Sequence, residues 1–286
     1  ACLVWILIGV QGKIIVLVDA LSQRLVPDEL WELVEPLIPQ AGERPQGGGR
    51  APADARKVFT AIVYVLTSGC AWRWLPPSFG VKVPTAHRWF LRWTEAGLWA
   101  RIHRGCSTSW AVKADRLVPG RGGCRRGAGE KGGAMTGPNP VDRGKPGSKL
   151  HVLTDRGGLP LATGISAANT PDGFAVKPLV NAIPAIRAHR GPRRRKPGKL
   201  HGDKAYNSAE RRVWLQRRGI VPRLARIGIE TSQKLGRHRW VVERSIAWLA
   251  GYRRLTIRYE RRADAFKGFL ALAAALTCFK KLKQAK

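Results

Sequence analysis

The sequence predicts an α/β domain preceded by a small all-α module. Three observations carry this. Before residue 100, apolar residues recur at helical spacing three times between Gly/Pro-rich breaks. After residue 136, short β-rich runs alternate with helical ones, which argues a central sheet covered by helices. Between them, residues 104–134 are rich in Gly, Arg and Cys and have no apolar period.

Charge bears on partners. The chain holds 51 Lys+Arg against 19 Asp+Glu, for a net of +32. Residues 1–100 are nearly balanced, with 10 basic and 8 acidic, whereas 101–286 hold 41 basic and 11 acidic. A surface this basic is best tolerated beside a polyanion, so nucleic acid is the default partner. It also makes each acid in the second half informative. At 44% apolar the chain is no disordered basic tail. Its five cysteines form no CxxC pair, which argues against a zinc or disulfide framework and for a reducing cytosol.

The elements follow in order. Residues 1–18 are apolar but broken by Gln11, Gly12 and Lys13, too short on either side to span a membrane. They have no basic start or cleavage site and read as translation ahead of a start at Val16 or Val18, the alternative being a buried strand. Residues 27–38 predict a helix opened by Pro27, Asp28 and Glu29. Residues 53–68 predict a second, stopped by Gly69, and 84–96 a third, opened by Pro84 and stopped by Gly97. The triplet resembles a helix-turn-helix module whose last helix carries His87, Arg88 and Arg92 toward DNA; the alternative is a three-helix bundle that only docks on the next domain.

Residues 149–154 and 159–166 predict a hairpin closed by Asp155–Gly158, and 172–188 a helix interrupted near Pro178. The run from Arg187 to Lys199, with seven basic residues and no acid, reads as a loop or a phosphate-facing arm. A strand ends at Asp203, a helix covers 208–218, a strand 219–225, and helices 237–250 and 262–282 close the chain.

Two acids stand out. Asp203 sits at the C-terminal end of its strand, where α/β sheets place ligands. Glu243 lies on a helix with Arg239 one turn before it. A structural ion pair is one reading of the latter. The other is that such carboxylates converge to hold Mg²⁺ for phosphodiester chemistry, where two hard cations about 4 Å apart require carboxylate ligands.

At this point RLVPDELWELVEPLIP (24–39), FTAIVYVLTSGCAWRWLPPSFGV (59–81), HRWFLRWTEAGLW (87–99), TGPNPVDRGKPGSKLHVLTD (136–155), KLHGDKAY (199–206), GIVPRLAR (219–226) and LGRHRWVVERSIAWLAGYRRLTIRYERR (235–262) resemble bacterial DDE transposases of the insertion-sequence-five group. The resemblance implies a helical DNA-binding region at 24–103 and an RNase H-like catalytic domain at 135–286. It implies Mg²⁺ (or Mn²⁺) as cofactor, cutting at element ends and strand transfer into target DNA. The second acid of the triad falls on Asp203, the third on Glu243 and the accompanying Arg on Arg239. Asp203 and Glu243 are then metal ligands. Gly202 stands where relatives carry Ala or Thr, and Gly236 and Ala250 where some carry Tyr and Lys. Lys145, Lys149, Arg193, Arg194, Arg195, Lys196, Arg253 and Arg254 are expected on the DNA backbone, with Arg258, Arg261 and Arg262 beside them. The implied setting is a homo-oligomer on double-stranded DNA, at terminal inverted repeats and target, in the bacterial cytoplasm at the nucleoid, without membrane.

The first acid has no counterpart. Relatives carry it in a segment like DWSxAxVDAxxVRAxKGG just before TGPNP, where this chain has RLVPGRGGCRRGAGEKGG (116–133). One permitted back-translation of Arg116–Cys124, read one base later, gives Asp-Trp-Ser-Arg-Ala-Val-Val-Asp, the last Asp straddling Gly123 and Cys124. A shifted reading frame explains the departure; a divergent Gly/Arg loop is the alternative. The expectation is an irregular 104–134, with 1–23 a non-native or disordered extension. The function expected is that of a transposase whose copy is catalytically impaired. The alternatives are a DNA-binding remnant without catalysis and a non-specific basic structural protein.

Overall fold

The computed structural model describes residues 20–40, 53–114, 120–129, 132–185, 196–226 and 232–284. For 109–114, 120–129 and 232–239 only the backbone is described. Expectations for residues 1–19 and for Arg193, Arg194 and Arg195 therefore lie outside the described residues, and of the N-terminal stretch residues 20–23 are helical.

The first three helices form where their caps place them. Helix α1 (Asp28–Val34) starts after Pro27 with Asp28 and Glu29 in its first turn, then tightens to a 3₁₀ turn over Glu35–Leu37. Helix α2 (Ala55–Ser68) is capped by Asp54, which accepts from the backbone N–H of Arg56 at 2.8 Å and Lys57 at 3.1 Å. It ends on Gly69 in the left-handed region, φ 72°. Helix α3 (Val83–Glu95) buries Ala86, Phe90 and Trp93.

The next segment overturns an expectation. Residues 104–134 are not irregular: helix α4 spans Leu98–Ala114, and strand β1 spans Gly120–Gly129. Strand β1 pairs antiparallel with β3 (Pro146–Thr154) from Arg121↔Thr154 to Ala128↔Gly147. On its other side it runs parallel to β5 (Lys199–Gly202) and to β7 (Ile257–Arg258). A strand ladder is made of backbone N–H and C=O groups, so a side-chain pattern is not needed where neighbours impose the register.

Strand β2 (Gly137–Pro138) and strand β4 (Pro160–Ala167) pair with β3, and β6 (Val221–Leu224) pairs parallel with β5. Among the described residues the path is β2-β3-β1-β5-β6, with β4 on β3 and β7 on β1. Four helices complete the fold: α5 (Val176–Asn181), α6 (Ala209–Arg217), α7 (Ser232–Ala250) and α8 (Ala263–Gln284). The helix expected over 172–188 is a 3₁₀ turn at Asp172–Ala175 followed by α5; Pro178 is tolerated in the first turn, where its missing N–H has no partner to lose.

One core joins the helical region to the sheet. Helix α8 is buried on every side from Gly268 to Phe279, between α3, α4 and β4, and carries its exposed charges toward its two ends. Phe90 of α3 stacks on Phe269 of α8 at 4.2 Å between ring centroids. The same core reaches Leu150 and Val152 of β3, so the three N-terminal helices dock on the sheet domain rather than standing apart. A second cluster on the opposite face gathers Leu153, Leu179, Leu200, Leu215 and Leu224.

Two buried polar devices hold β3. Arg258, 1% exposed, donates to the carbonyls of Glu260 (2.9 Å), Met135 (3.1 Å), Ala134 (2.6 Å) and Arg261 (3.3 Å), and to Ser148 Oγ (2.6 Å). It was expected on DNA; its buried guanidinium instead donates to backbone carbonyls of 134–135 and 260–261. Arg258→Met should lower unfolding free energy by about 3 kcal/mol, because the junction loses the hydrogen bonds of a buried guanidinium; a urea melt checks it. His151 shares a hydrogen bond with Ser166 Oγ at 2.8 Å, and burial pushes its pKa down to about 4. The unfolded chain binds that proton near 6.5, so stability should fall as pH drops from about 6.5 to about 4. His151→Gln should flatten that slope in thermal melts across the same window.

Candidate active site

Asp203 follows β5 directly, in extended conformation with φ −74° and ψ −177°. Its Oδ1 accepts from the Ala205 N–H at 3.0 Å, capping the 3₁₀ turn Lys204–Tyr206 that takes the chain away from the sheet. The carboxylate thus sits at the C-terminal edge of a parallel strand.

The strand beside it is β1, in register Gly120↔Leu200 and Arg121↔His201. Two residues further along both parallel strands lie Gly123 and Asp203. Face assignments agree. Leu200 belongs to the second cluster, so Asp203, an odd number of residues on, belongs to the opposite face. Gly123 pairs with Val152, which lies in the main core on that same opposite face. The segment that departs from the sequence pattern therefore puts a glycine next to Asp203 on the same side of the sheet.

Helix α7 packs over β1 and β3 and carries Glu243. It buries Val241, Val242 and Leu249 and leaves Glu243 exposed. The two residues after Glu243 lock the helix to the β3–β4 turn. Arg244 donates to the Gly157 carbonyl at 2.6 Å, and Ser245 donates to the Gly158 carbonyl. Gly158 has φ 88°, and a Cβ there would lie 2.9 Å from Ser245 Oγ, so helix and turn approach as closely as they do because that residue is glycine. The sequence reading missed this clamp; its signal was the Gly157–Gly158 pair.

Asp155 closes the turn, accepting from the Leu159 N–H at 2.8 Å, and is 4% exposed. Asp142 lies in the loop after β2, 3.9 Å from Lys145. Among the described residues no three Asp, Glu, His or Cys side chains gather as a metal-holding group. Asp203 and Glu243 both border β1, and Gly123 lies beside Asp203. Both acids are carboxylates, the hard oxygen donors that a divalent cation takes.

The expected DNA contacts divide. Arg88, Arg92, Lys145, Lys196 and Arg253 are exposed. Lys196 donates to the Arg218 carbonyl at 3.1 Å, and the Arg92 guanidinium lies over the Trp89 ring. His87 lies edge-on to Trp72 with centroids 5.1 Å apart, and desolvation lowers its pKa. Two expectations are overturned by burial. Lys149, 4% exposed, pairs with Asp172 at 2.7 Å. Arg254, 3% exposed, pairs with Glu260 at 2.6 Å and donates to the Cys70 carbonyl at 2.8 Å. Neither ammonium nor guanidinium is available to phosphate. Arg239 lies on α7 one turn before Glu243, and its side chain is outside the described residues.

One carboxylate thus ends a parallel strand, and a second lies on a helix laid across the adjoining strand. Residues 117–278 match the family model for the transposase DDE domain, and residues 26–103 match the model for transposases of the IS4/5 family. The chain belongs to the DDE transposases, a family of enzymes, and its RNase H-like fold is inferred from that membership.

In particular it is similar to the transposase for insertion sequence element IS402 of Burkholderia cepacia, 46% identical over 154 residues, covering 54% of this chain and 73% of that protein. It is also similar to an uncharacterized 16.2 kDa protein of insertion element IS402 from the same organism, 38% identical over 85 residues, covering 29% of this chain and 58% of that protein. Gly158→Ala should loosen α7 from the turn. We expect a lower thermal midpoint, with the loss greater than for Gly144→Ala, which also has positive φ but meets nothing within 4 Å.

Proposed function

We propose that this chain is an insertion-sequence transposase that binds element ends as a homo-oligomer, and that this copy is impaired in catalysis because the first acidic position of its triad is Gly123. Asp203 and Glu243 are the residues that would hold Mg²⁺ or Mn²⁺, whose chemistry when bound is to activate the attacking oxygen and neutralise the leaving one. The chain's own residues supply the rest. Arg239 contacts phosphate or orients Glu243, while Arg88, Arg92, Lys145, Lys196 and Arg253 track the backbone of terminal repeats and target. Affinity then falls steeply as salt rises. Among the described residues no helix is long and apolar enough to cross a membrane, and the setting we infer is the bacterial cytoplasm at the nucleoid.

The observation that carries the impairment is the register that sets Gly123 beside Asp203 on one face. It counts against the shifted-frame origin, which called for an irregular segment where β1 pairs with β3. In that reading positions 122 and 123 become Val and Asp. Position 122 lies opposite Leu153 on the other face, where Leu153, Leu200, Gly202 and Leu224 line a small hollow. A valine there belongs to the core, and an aspartate at 123 belongs to the site. The second reading, a remnant that occupies element ends without cutting, differs only in residual rate. A non-specific basic structural protein is not compatible with the transposase domain match.

The test is an end-cleavage assay on terminal-repeat DNA with Mg²⁺ or Mn²⁺, comparing the chain with Gly123→Asp. The carboxylate variant should cut at least about a thousandfold faster, the scale of a lost ligand at such a centre. Equal rates would show that position 123 is not the missing acid. Nucleotide sequence across codons 104–132 discriminates the origins: a compensated pair of shifts favours a decayed copy, and an unbroken frame favours a divergent Gly/Arg segment.

A further inference from the structure

Trp74 is 68% exposed, the most exposed aromatic side chain among the described residues. It stands on a stiff support. The 3₁₀ turn Trp72–Trp74 is closed by the Trp74 N–H on the Ala71 carbonyl at 2.8 Å and by the Leu75 N–H on the Trp72 carbonyl at 3.0 Å. The chain is anchored on either side of the indole. Trp72 packs on Phe90 at 5.5 Å and on Phe269 at 6.0 Å between ring centroids, and Leu75 and Phe79 are buried. Pro76 and Pro77 fix φ between those two. The surroundings are cationic. The Arg73 guanidinium lies 5.6 Å from the Trp74 ring. Segment 69–74 also touches two elements that each present an exposed arginine. Trp72 lies edge-on to His87, the neighbour of Arg88 on α3. A Cβ at Gly69 would lie 2.7 Å from Arg253 Cβ, and the Cys70 carbonyl accepts from Arg254 at 2.8 Å. The acids of these elements are engaged: Glu260 pairs with buried Arg254, and Glu95 and Asp264 pair with Arg262.

We propose that Trp74 is a wedge that inserts at a base step of duplex DNA and bends it, with Arg73, Arg88 and Arg253 on the phosphates around it. The inference rests on the transposase reading above. An apolar side chain pushed between bases costs some unstacking, which a bent duplex offsets by meeting more of a basic surface. A rigid support keeps the ordering cost of that insertion low. The partner's chemistry is argued from charge. A second copy of this chain would bring its own net +32 against these arginines, whereas DNA brings phosphates. Among the described side chains of residues 53–108 no other large apolar one is exposed, so Trp74 stands alone among polar and cationic groups. A protein interface has an apolar core instead.

The experiment uses a short duplex with a fluorescence donor on one end, an acceptor on the other and a TA step, which kinks easily, at its centre. The wild-type chain should bind it and raise energy transfer between the ends. Trp74→Ala should bring energy transfer back to that of the free duplex and bind about tenfold more weakly, the scale of one lost base–aromatic contact. Its salt dependence should match wild type because no charge is removed, and its thermal midpoint should match because the side chain is exposed. Trp74→Phe should keep most of the bend. Arg73→Gln should keep the bend while its salt slope falls by about one. Unchanged energy transfer in Trp74→Ala, or a wild-type chain that binds without raising it, overturns the inference and leaves the transposase reading standing. So does a wild-type dimer that dissociates in Trp74→Ala with the bend intact, since Trp74 then serves an interface between copies. No binding of the duplex by the wild-type chain overturns the reading and the inference together.

Discussion

The backbone ladder of β1 is the constraint on which the rest of this structure depends. The strand reads GRGGCRRGAG, a sequence with little intrinsic preference for an extended conformation. It is nonetheless hydrogen-bonded to β3 along one edge and to β5 and β7 along the other. These contacts draw together pieces that are far apart in the chain: the hairpin at 146–167, the strand that precedes Asp203, and the short strand that carries Arg258. Helix α7 then has a floor to lie on. Without β1, Asp203 and Glu243 would have no common reference.

The other organising element is α8, whose central stretch from Gly268 to Phe279 is covered on every side. Through it the N-terminal helices and the sheet share a core, reinforced by the buried Arg254–Glu260 pair that reaches the Cys70 carbonyl after α2. Gly69 permits that approach: a Cβ on it would stand 2.7 Å from Arg253 Cβ. Exposed cations on α3 are thereby held at a fixed distance from the sheet.

Much of this was legible in the sequence. The starts and stops of α1 to α3, the β3–β4 hairpin and the strand before Asp203 follow from local chemistry: Pro27 with Asp28 and Glu29, Pro84, and Gly69 and Gly97 as stops. What was not legible depends on tertiary context. The β1 segment carries no apolar periodicity, and its strand is recognised only from its backbone pairing with β3, β5 and β7. Arg254, Arg258 and Lys149 look like surface cations by composition, but each meets a buried acceptor or carboxylate supplied by a distant element. The clamp of Arg244 and Ser245 on Gly157 and Gly158 spans 87 positions and leaves only a glycine pair as its trace. The candidate acids were readable one by one; the face they share emerges only from pairing.

The central claim is that this sheet holds a place for a third carboxylate at position 123 and that the chain lacks it. Mn²⁺ binding tests that most directly, since it needs neither DNA nor turnover. Calorimetric titration of the chain and of Gly123→Asp should show an affinity at least about tenfold higher for the variant, the gain being lost again in Gly123→Asp combined with Asp203→Asn. Equal Mn²⁺ affinities for the chain and Gly123→Asp would contradict the account.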